Sequence, residues 1–431
     1  MSDPTTPPAE AAAAVGTVWA EPQRGFLFFL GYASIGTAMA QLVPLVLTYP
    51  LKTVTVSEAM GGALTPTAIL GIVLGLASLF GLVAFPLFGR LSDRVTWSGG
   101  RRRPFLFLAA GLIAVGAVLQ FAATSVPVLL LSAIFAFVGV SAATVSFTAI
   151  IPDQIEPAKR GSASAIVGIS LPVGALLGLF IAQFNSAIAW QIFAPVTLGV
   201  IGLLLLAILL KDKPITKDQR IPFSFKTLVS TFWTNPVKNP SFAWAWWSRF
   251  LLFFAVAAVQ AYQTYYMIDR LGFTGENVAG AVFLSTLALT VFVIIAAPIF
   301  ARISDKVGRR KPFVAIAAIV FAIGLITAVL ANSFPVFLVA MAIMGIGQGV
   351  YFAVDIALVT QILPDPVNPA KDLGIFGLAA NLPNTVVVAV APAILAIGVV
   401  AGQQNYAALF IAGAISAIVG ALFILPIRKV R

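Results

Sequence analysis

Apolar runs of about twenty residues recur along this chain from residue 26 almost to its C-terminus, separated by short polar breaks. Each run is long enough to cross the ~30 Å hydrocarbon layer of a bilayer. Backbone in lipid must satisfy its own hydrogen bonds, so the runs read as helices rather than open strands. The pattern predicts twelve spans, at about 26–47, 67–88, 104–124, 127–150, 162–184, 188–210, 245–267, 278–300, 313–331, 334–362, 373–398 and 406–427. The longest polar interruption, 211–244, holds Pro214, Pro222, Pro236 and Pro240 and divides the chain into two six-span halves. The expected organisation is a tail at 1–24, a first bundle at 25–210, a central loop at 211–244 and a second bundle at 245–431.

The breaks alternate in charge. Arg90, Arg94, Arg101, Arg102, Arg103, Lys159, Arg160, Arg302, Lys306, Arg309, Arg310, Lys311 and Lys371 share one face with the basic central segment and with Arg249 at its edge. Lys52 and Arg270 fall on the opposite face. Positive charge stays inside, so the basic loops and both termini are expected in the cytoplasm.

The two halves repeat each other. Residues 89–105 run Gly-Arg-Leu-Ser-Asp-Arg through Gly-Gly-Arg-Arg-Arg-Pro-Phe, and residues 301–313 run Ala-Arg-Ile-Ser-Asp-Lys-Val-Gly-Arg-Arg-Lys-Pro-Phe. Asp93 and Asp305 stand 212 residues apart, as do Asp153 and Asp365. Ser-Val-Pro-Val-Leu-Leu at 125–130 returns as Ser-Phe-Pro-Val-Phe-Leu at 333–338. Parallel repeats of this kind mark secondary transporters with a central site between the halves.

Composition narrows the chemistry. The 431 residues are 60% hydrophobic and 10% charged, with mean hydropathy +1.03, against about 25% charged in soluble chains. With no Cys and no His, disulfides, thiolate chemistry, Cys/His metal sites and His proton relays are excluded. No metal and no cofactor is expected. The net charge of +11 follows topology rather than nucleic-acid binding. No GxxxxGK[ST] loop and no nucleophile–base constellation is visible, so neither an ATP-driven pump nor an enzyme is expected.

The repeated loop resembles that of the major facilitator superfamily, G-x-x-x-D-[RK]-x-G-R-[RK]. Residues 301–310 match it with Asp305, Lys306, Gly308, Arg309 and Arg310, Ala301 replacing the first glycine. Residues 89–102 match with Gly89, Asp93, Arg94, Gly100, Arg101 and Arg102 around extra residues at Trp97. The Gly-Arg-Arg-Arg-Pro-Phe ending is similar to the glycoside/cation and sucrose–proton symporter branches. The resemblance implies an all-α membrane fold of twelve transmembrane helices in two pseudo-symmetric six-helix bundles. It also implies that the motif latches the cytoplasmic side when the outside is open, and that spans 1, 4, 7 and 10 line a central cavity. Spans 1 and 4 carry no charge, unlike many proton-coupled members, and span 2 lacks the acids of melibiose-type sodium symporters.

Those four spans carry polar sets. Ser34, Thr37 and Gln41 share one helix face, as do Ser141, Thr144 and Thr148, and Gln348, Tyr351 and Asp355. Gln260, Tyr262, Gln263 and Tyr266 cluster in span 7, and Asn381 and Asn384 flank Pro383 in span 11. Small hydroxyls also serve helix packing, whereas amides, phenols and acids are costly against lipid. Rings beside amides suit a sugar, and equally a polyaromatic drug. Asp355 is the acid placed well inside a span. Burial favours the neutral carboxyl, which makes Asp355 the proton-coupling candidate. The alternative is a structural Asp that pairs with an Arg near the cytoplasmic side or caps a broken helix. The expected function is a secondary active transporter of a small polar organic solute, a sugar coupled to protons, in the cytoplasmic membrane and acting as a monomer. The alternatives are a drug or metabolite efflux antiporter of the same fold and a transport-dead sensor or scaffold.

Overall fold

The computed structural model describes residues 25–155, 160–212, 236–364, 369–398 and 404–427. The predicted tail and most of the predicted central loop lie outside the described residues. Among the described residues run twelve apolar helices: α1 Phe26–Ala59, α2 Pro66–Ser92, α3 Arg103–Ala122, α4 Val126–Gln154, α5 Arg160–Ala182, α6 Ile188–Leu209, α7 Pro240–Asp269, α8 Val278–Val307, α9 Lys311–Val329, α10 Phe334–Val359, α11 Pro369–Leu395 and α12 Tyr406–Leu422. The last has 17 residues, about 25 Å of helix.

Local chemistry sets the ends. Thr65 caps α2, its hydroxyl oxygen accepting the Ala68 N–H at 3.3 Å with Pro66 in the first turn. Gly308 closes α8 at φ 67°, a left-handed stop that suits glycine. Asn405 caps α12 through the Ala408 N–H.

Two ends differ from expectation. α1 runs on to Ala59 through a π-turn at Pro44–Thr48. Its polar outer part, Tyr-Pro-Leu-Lys-Thr-Val-Thr-Val-Ser-Glu-Ala, reads as a loop by hydropathy yet forms helix. Lys52 therefore lies in a helix and is buried, and its Nζ donates to Phe121 O at 2.9 Å. That carbonyl is at the C-terminal end of α3, where a cation is favoured. α7 begins at Pro240, so Trp244 belongs to the helix with Trp246 and Trp247 rather than to the central loop.

Packing repeats between the halves. α1 packs on α5 and α6, as α7 packs on α11 and α12; α2 packs on α4, as α8 packs on α10; α3 lies on α4 and α6, as α9 lies on α10 and α12. Across the halves α2 meets α11 and α5 meets α8, pairs that a two-fold exchange of the halves interconverts. Glycines allow the closest approach: a Cβ on Gly36 would sit 2.7 Å from Gly199 Cα, so α1 and α6 touch backbone to backbone.

The apolar core is uneven across the bilayer. One buried cluster runs the depth of the second half, from Phe242, Phe313 and Phe376 to Val259, Tyr262, Tyr265, Val387 and Val388, and takes from the first half only its far end, with Val46, Leu47, Tyr49, Ile69, Leu70 and Val73. A second cluster, around Leu30, Phe88, Phe105, Leu106, Phe147 and Leu206, lies wholly in the first half toward the face that bears the basic loops. The halves are thus joined at the far face.

Candidate functional site

A buried ion pair occupies the second half. Arg249 of α7 and Asp355 of α10 meet at 2.7 Å, with side chains 12% and 4% exposed. Tyr351, one turn before Asp355, hydrogen-bonds the same carboxylate. The guanidinium lies 4.5 Å from the centre of the Phe376 ring and 5.4 Å from that of Phe253, so two aromatic faces replace part of its water. Phe253 in turn packs on Tyr351 and Phe352. Phe352 is 43% exposed, an aromatic surface on the side of α10 that faces α7.

Asp355 stands four residues before the end of α10, nearer the basic face than the middle of the span. The sequence placed it deeper because the apolar run continues past it through Leu358 and Ile362. Its partner is the Arg249 that the sequence sets at the edge of the central segment, nine residues into α7, so the pair has the form of the alternative reading, an Asp joined to an Arg near the basic face. The signal of Arg249 was legible: a lone Arg between Trp-Ala-Trp-Trp-Ser and Phe-Leu-Leu-Phe-Phe has no water on its own helix.

The span 7 set is divided. Tyr262 is buried, its hydroxyl directed at Val388 O of α11 at 3.5 Å. Tyr266 points into the second bundle, donating to Ala328 O or Ala331 O at 2.8 and 2.9 Å and stacking on Phe337. Gln263 accepts from Ser285 of α8 at 3.3 Å. Gln260 is half-buried, and so are Gln41 and Asn384. Asn381 is exposed and donates to Gly377 O. Gln348 is buried with its Oε1 unpartnered, as is Arg249 Nε. In span 4 Ser141 bonds Gly81 O of α2, a packing role, while Thr148 is exposed. Partly open amides in mid-helix are costly against lipid.

At the basic face the first-half motif is a closed network. Arg102 reaches Asp93 at 2.7 Å, Asp153 at 2.8 Å and the Ser92 hydroxyl, while Arg101 holds the other Asp153 oxygen at 2.6 Å. Burial works against the Arg102 charge, but Asp153 and Asp93 outweigh it and hold its pKa above the ordinary value. Asp212, at the start of the central segment, accepts the backbone N–H groups of Arg102 and Arg103 at the α3 N-terminus. Burial nonetheless raises the Asp212 pKa, against the pull of those N–H groups and of Arg101 and Arg102. The second-half motif is looser. Arg310 meets Asp305 at 3.0 Å on an exposed carboxylate, and the Ser304 hydroxyl, counterpart of Ser92, is buried without a partner. Gly89, Arg94, Lys306, Gly308 and Arg309 stand in or beside these two loops.

At the far face hydroxyls bridge the halves. Thr264 of α7 donates to Val46 O of α1, Thr53 of α1 meets Tyr265 of α7, and Tyr265 donates to Pro66 O of α2 at 3.2 Å. Sequence reading missed these residues because their partners are backbone atoms or lie in the other half.

A duplicated bundle of twelve apolar helices defines a polytopic membrane protein. The chain matches the Major Facilitator Superfamily over residues 24–294 and 282–431 and belongs to that family, whose members are transporters and not enzymes. It is 35% identical over 94 residues to the uncharacterized MFS-type transporter YfiU of Bacillus subtilis (strain 168), a match that spans 22% of this chain and 17% of that protein. Its fold resembles a D-xylose–proton symporter, with TM-score 0.70 at 19% identity over 95% of this chain and 98% of that one. It also resembles the nucleoside transporter NupG, with TM-score 0.72 at 14% identity over 94% of this chain and 100% of that one.

Proposed function

We propose that this protein moves a small polar organic solute across the cytoplasmic membrane by alternating access, and that Asp355 carries the proton that drives it. The observation that supports this reading is the Arg249–Asp355 pair, two charges withdrawn from water. A buried pair is costly to keep, and a carboxyl that exchanges its Arg partner for a proton changes charge with conformation. Gln41, Gln260, Asn381 and Asn384 supply amides for hydroxyl groups, and Phe352 supplies an aromatic face. That combination suits a sugar, with Phe352 in the role expected of Tyr262 and Tyr266. The xylose–proton symporter of similar fold is in keeping with this class. With the basic face in the cytoplasm, the closed far face makes this the inward-facing state.

The test is uptake into proteoliposomes from a panel of labelled sugars and other neutral solutes, with and without a pH gradient. Wild type should accumulate its solute only with the gradient. Asp355→Asn should lose uphill accumulation and keep counterflow, which needs no net proton movement. Wild-type pH-driven accumulation by the folded Asn variant would refute the coupling role.

A further inference from the structure

We propose that Pro50 builds the far-side gate, by freeing the Val46 carbonyl on α1 for the hydroxyl of Thr264 on α7. The inference rests on alternating access but on neither Asp355 nor the solute.

In an α-helix the carbonyl of residue 46 takes the N–H of residue 50. Residue 50 is proline, which has no N–H. The chain around it is already irregular: a π-turn spans Pro44–Thr48, where the Tyr49 N–H returns to Pro44 O, five residues back. Proline at position 50 thus removes the α-register donor to Val46 O, in a buried, apolar setting where a bare carbonyl is costly. Its partner comes from the other half. Thr264 Oγ1 donates to Val46 O, and Thr264 is fully buried. A helical Thr hydroxyl ordinarily bonds the carbonyl three or four residues earlier on its own helix. Thr264 does so instead across the interface. Further out on the same helix Thr53 meets the Tyr265 hydroxyl, a second contact between the halves that does not depend on the proline ring. When the far side opens, water can take Val46 O, and Thr264 can turn back to its own helix. The bond is therefore made in one state and replaced in the other, which is what a gate requires.

The test uses the purified full chain with spin labels on Met60→Cys and Glu276→Cys, both exposed at the far face and on opposite halves. The native chain contains no Cys, so no background label arises. Pulsed-resonance distances report the closed and open far side without any solute. Thr264→Val should move the closed-to-open ratio roughly fivefold toward open, the share of one ordinary hydrogen bond. Thr264→Ser, which keeps the hydroxyl, should match wild type. Pro50→Ala restores an N–H for Val46 O and should shift the ratio in the same direction. The double variant should shift no further than the larger single shift, because both changes remove one bond. Unchanged distances in Thr264→Val, or an equal shift in Thr264→Ser, would overturn the gate. Additive shifts in the double variant would overturn the part assigned to Pro50. If Pro50→Ala fails to fold, the Thr264 pair still decides whether the hydroxyl holds the gate. None of these outcomes bears on the Asp355 reading, which is read out by uptake.

Discussion

A charge that has left water must find a partner or a proton, and two residues here show the two solutions. Asp355 has Arg249, and the pair is worth keeping only if function uses it, since a well-packed apolar pair is often as stable. Burial raises the Asp212 pKa against the backbone N–H groups of Arg102 and Arg103 and the charges of Arg101 and Arg102. The sign of the consequence follows from linkage. A carboxyl whose folded pKa exceeds its unfolded value of ~3.9 contributes stability that is full below that value and lost as pH rises through the folded one. Asp212→Asn keeps an acceptor for the Arg102 N–H but does not titrate. At pH 8 the variant should therefore melt at or above wild type, and wild type should gain on it as pH falls toward ~4. Thermal melts of both proteins in one detergent across that range check this. A wild type that gains on the variant as pH rises would show that the α3 N-terminus, not burial, governs Asp212.

At the scale of the helix, position along the chain was legible and rotation about the axis was not. Hydropathy located the spans because lipid imposes one rule on all of them. It ended α1 too early, because the segment beyond Pro50 is polar and packs against protein rather than lipid. The spacing of Gln260, Tyr262, Gln263 and Tyr266 predicted one shared surface. The helix instead directs Tyr262 toward α11, Gln263 toward α8 and Tyr266 into the α9–α12 side, since α7 has neighbours on several sides. Helix contact also turns on single glycines. A Cβ on Gly71 would sit 2.6 Å from Val388 O and 2.8 Å from the Pro392 ring, where α2 meets α11 across the halves. Neither the backbone nor a proline ring yields cheaply, and overpacking of this kind costs about 1–3 kcal/mol. At Gly75 the nearest atoms lie 3.7 Å away, an ordinary contact. Gly71→Ala should therefore shift the Met60–Glu276 distances toward the open far side, while Gly75→Ala leaves them unchanged. Equal behaviour of the two variants would remove the α2–α11 contact from the closure.

For the whole molecule the duplicated plan decides what can move. The α2–α11 and α5–α8 contacts exchange under the two-fold of the halves, so a rocking motion loads both alike. The core of the second half reaches into the first only at the far face, while a separate core fills the basic side of the first, which places the closure at one end. Which end faces the cytoplasm is a matter of charge. Ten of the 26 Lys and Arg lie in the two motif loops, so that side should face inward. Exposed Ser98 on the first motif loop and exposed Met60 beyond α1 are on opposite sides. In intact cells an impermeant maleimide added outside should label Met60→Cys and spare Ser98→Cys, and permeabilised cells should label both. Lys52 is no substitute as the outside probe, because it is buried against α3 rather than free in a loop. Labelling of Ser98→Cys but not Met60→Cys from outside would invert the topology. The closed far face would then be cytoplasmic, and the state described here would be open to the outside.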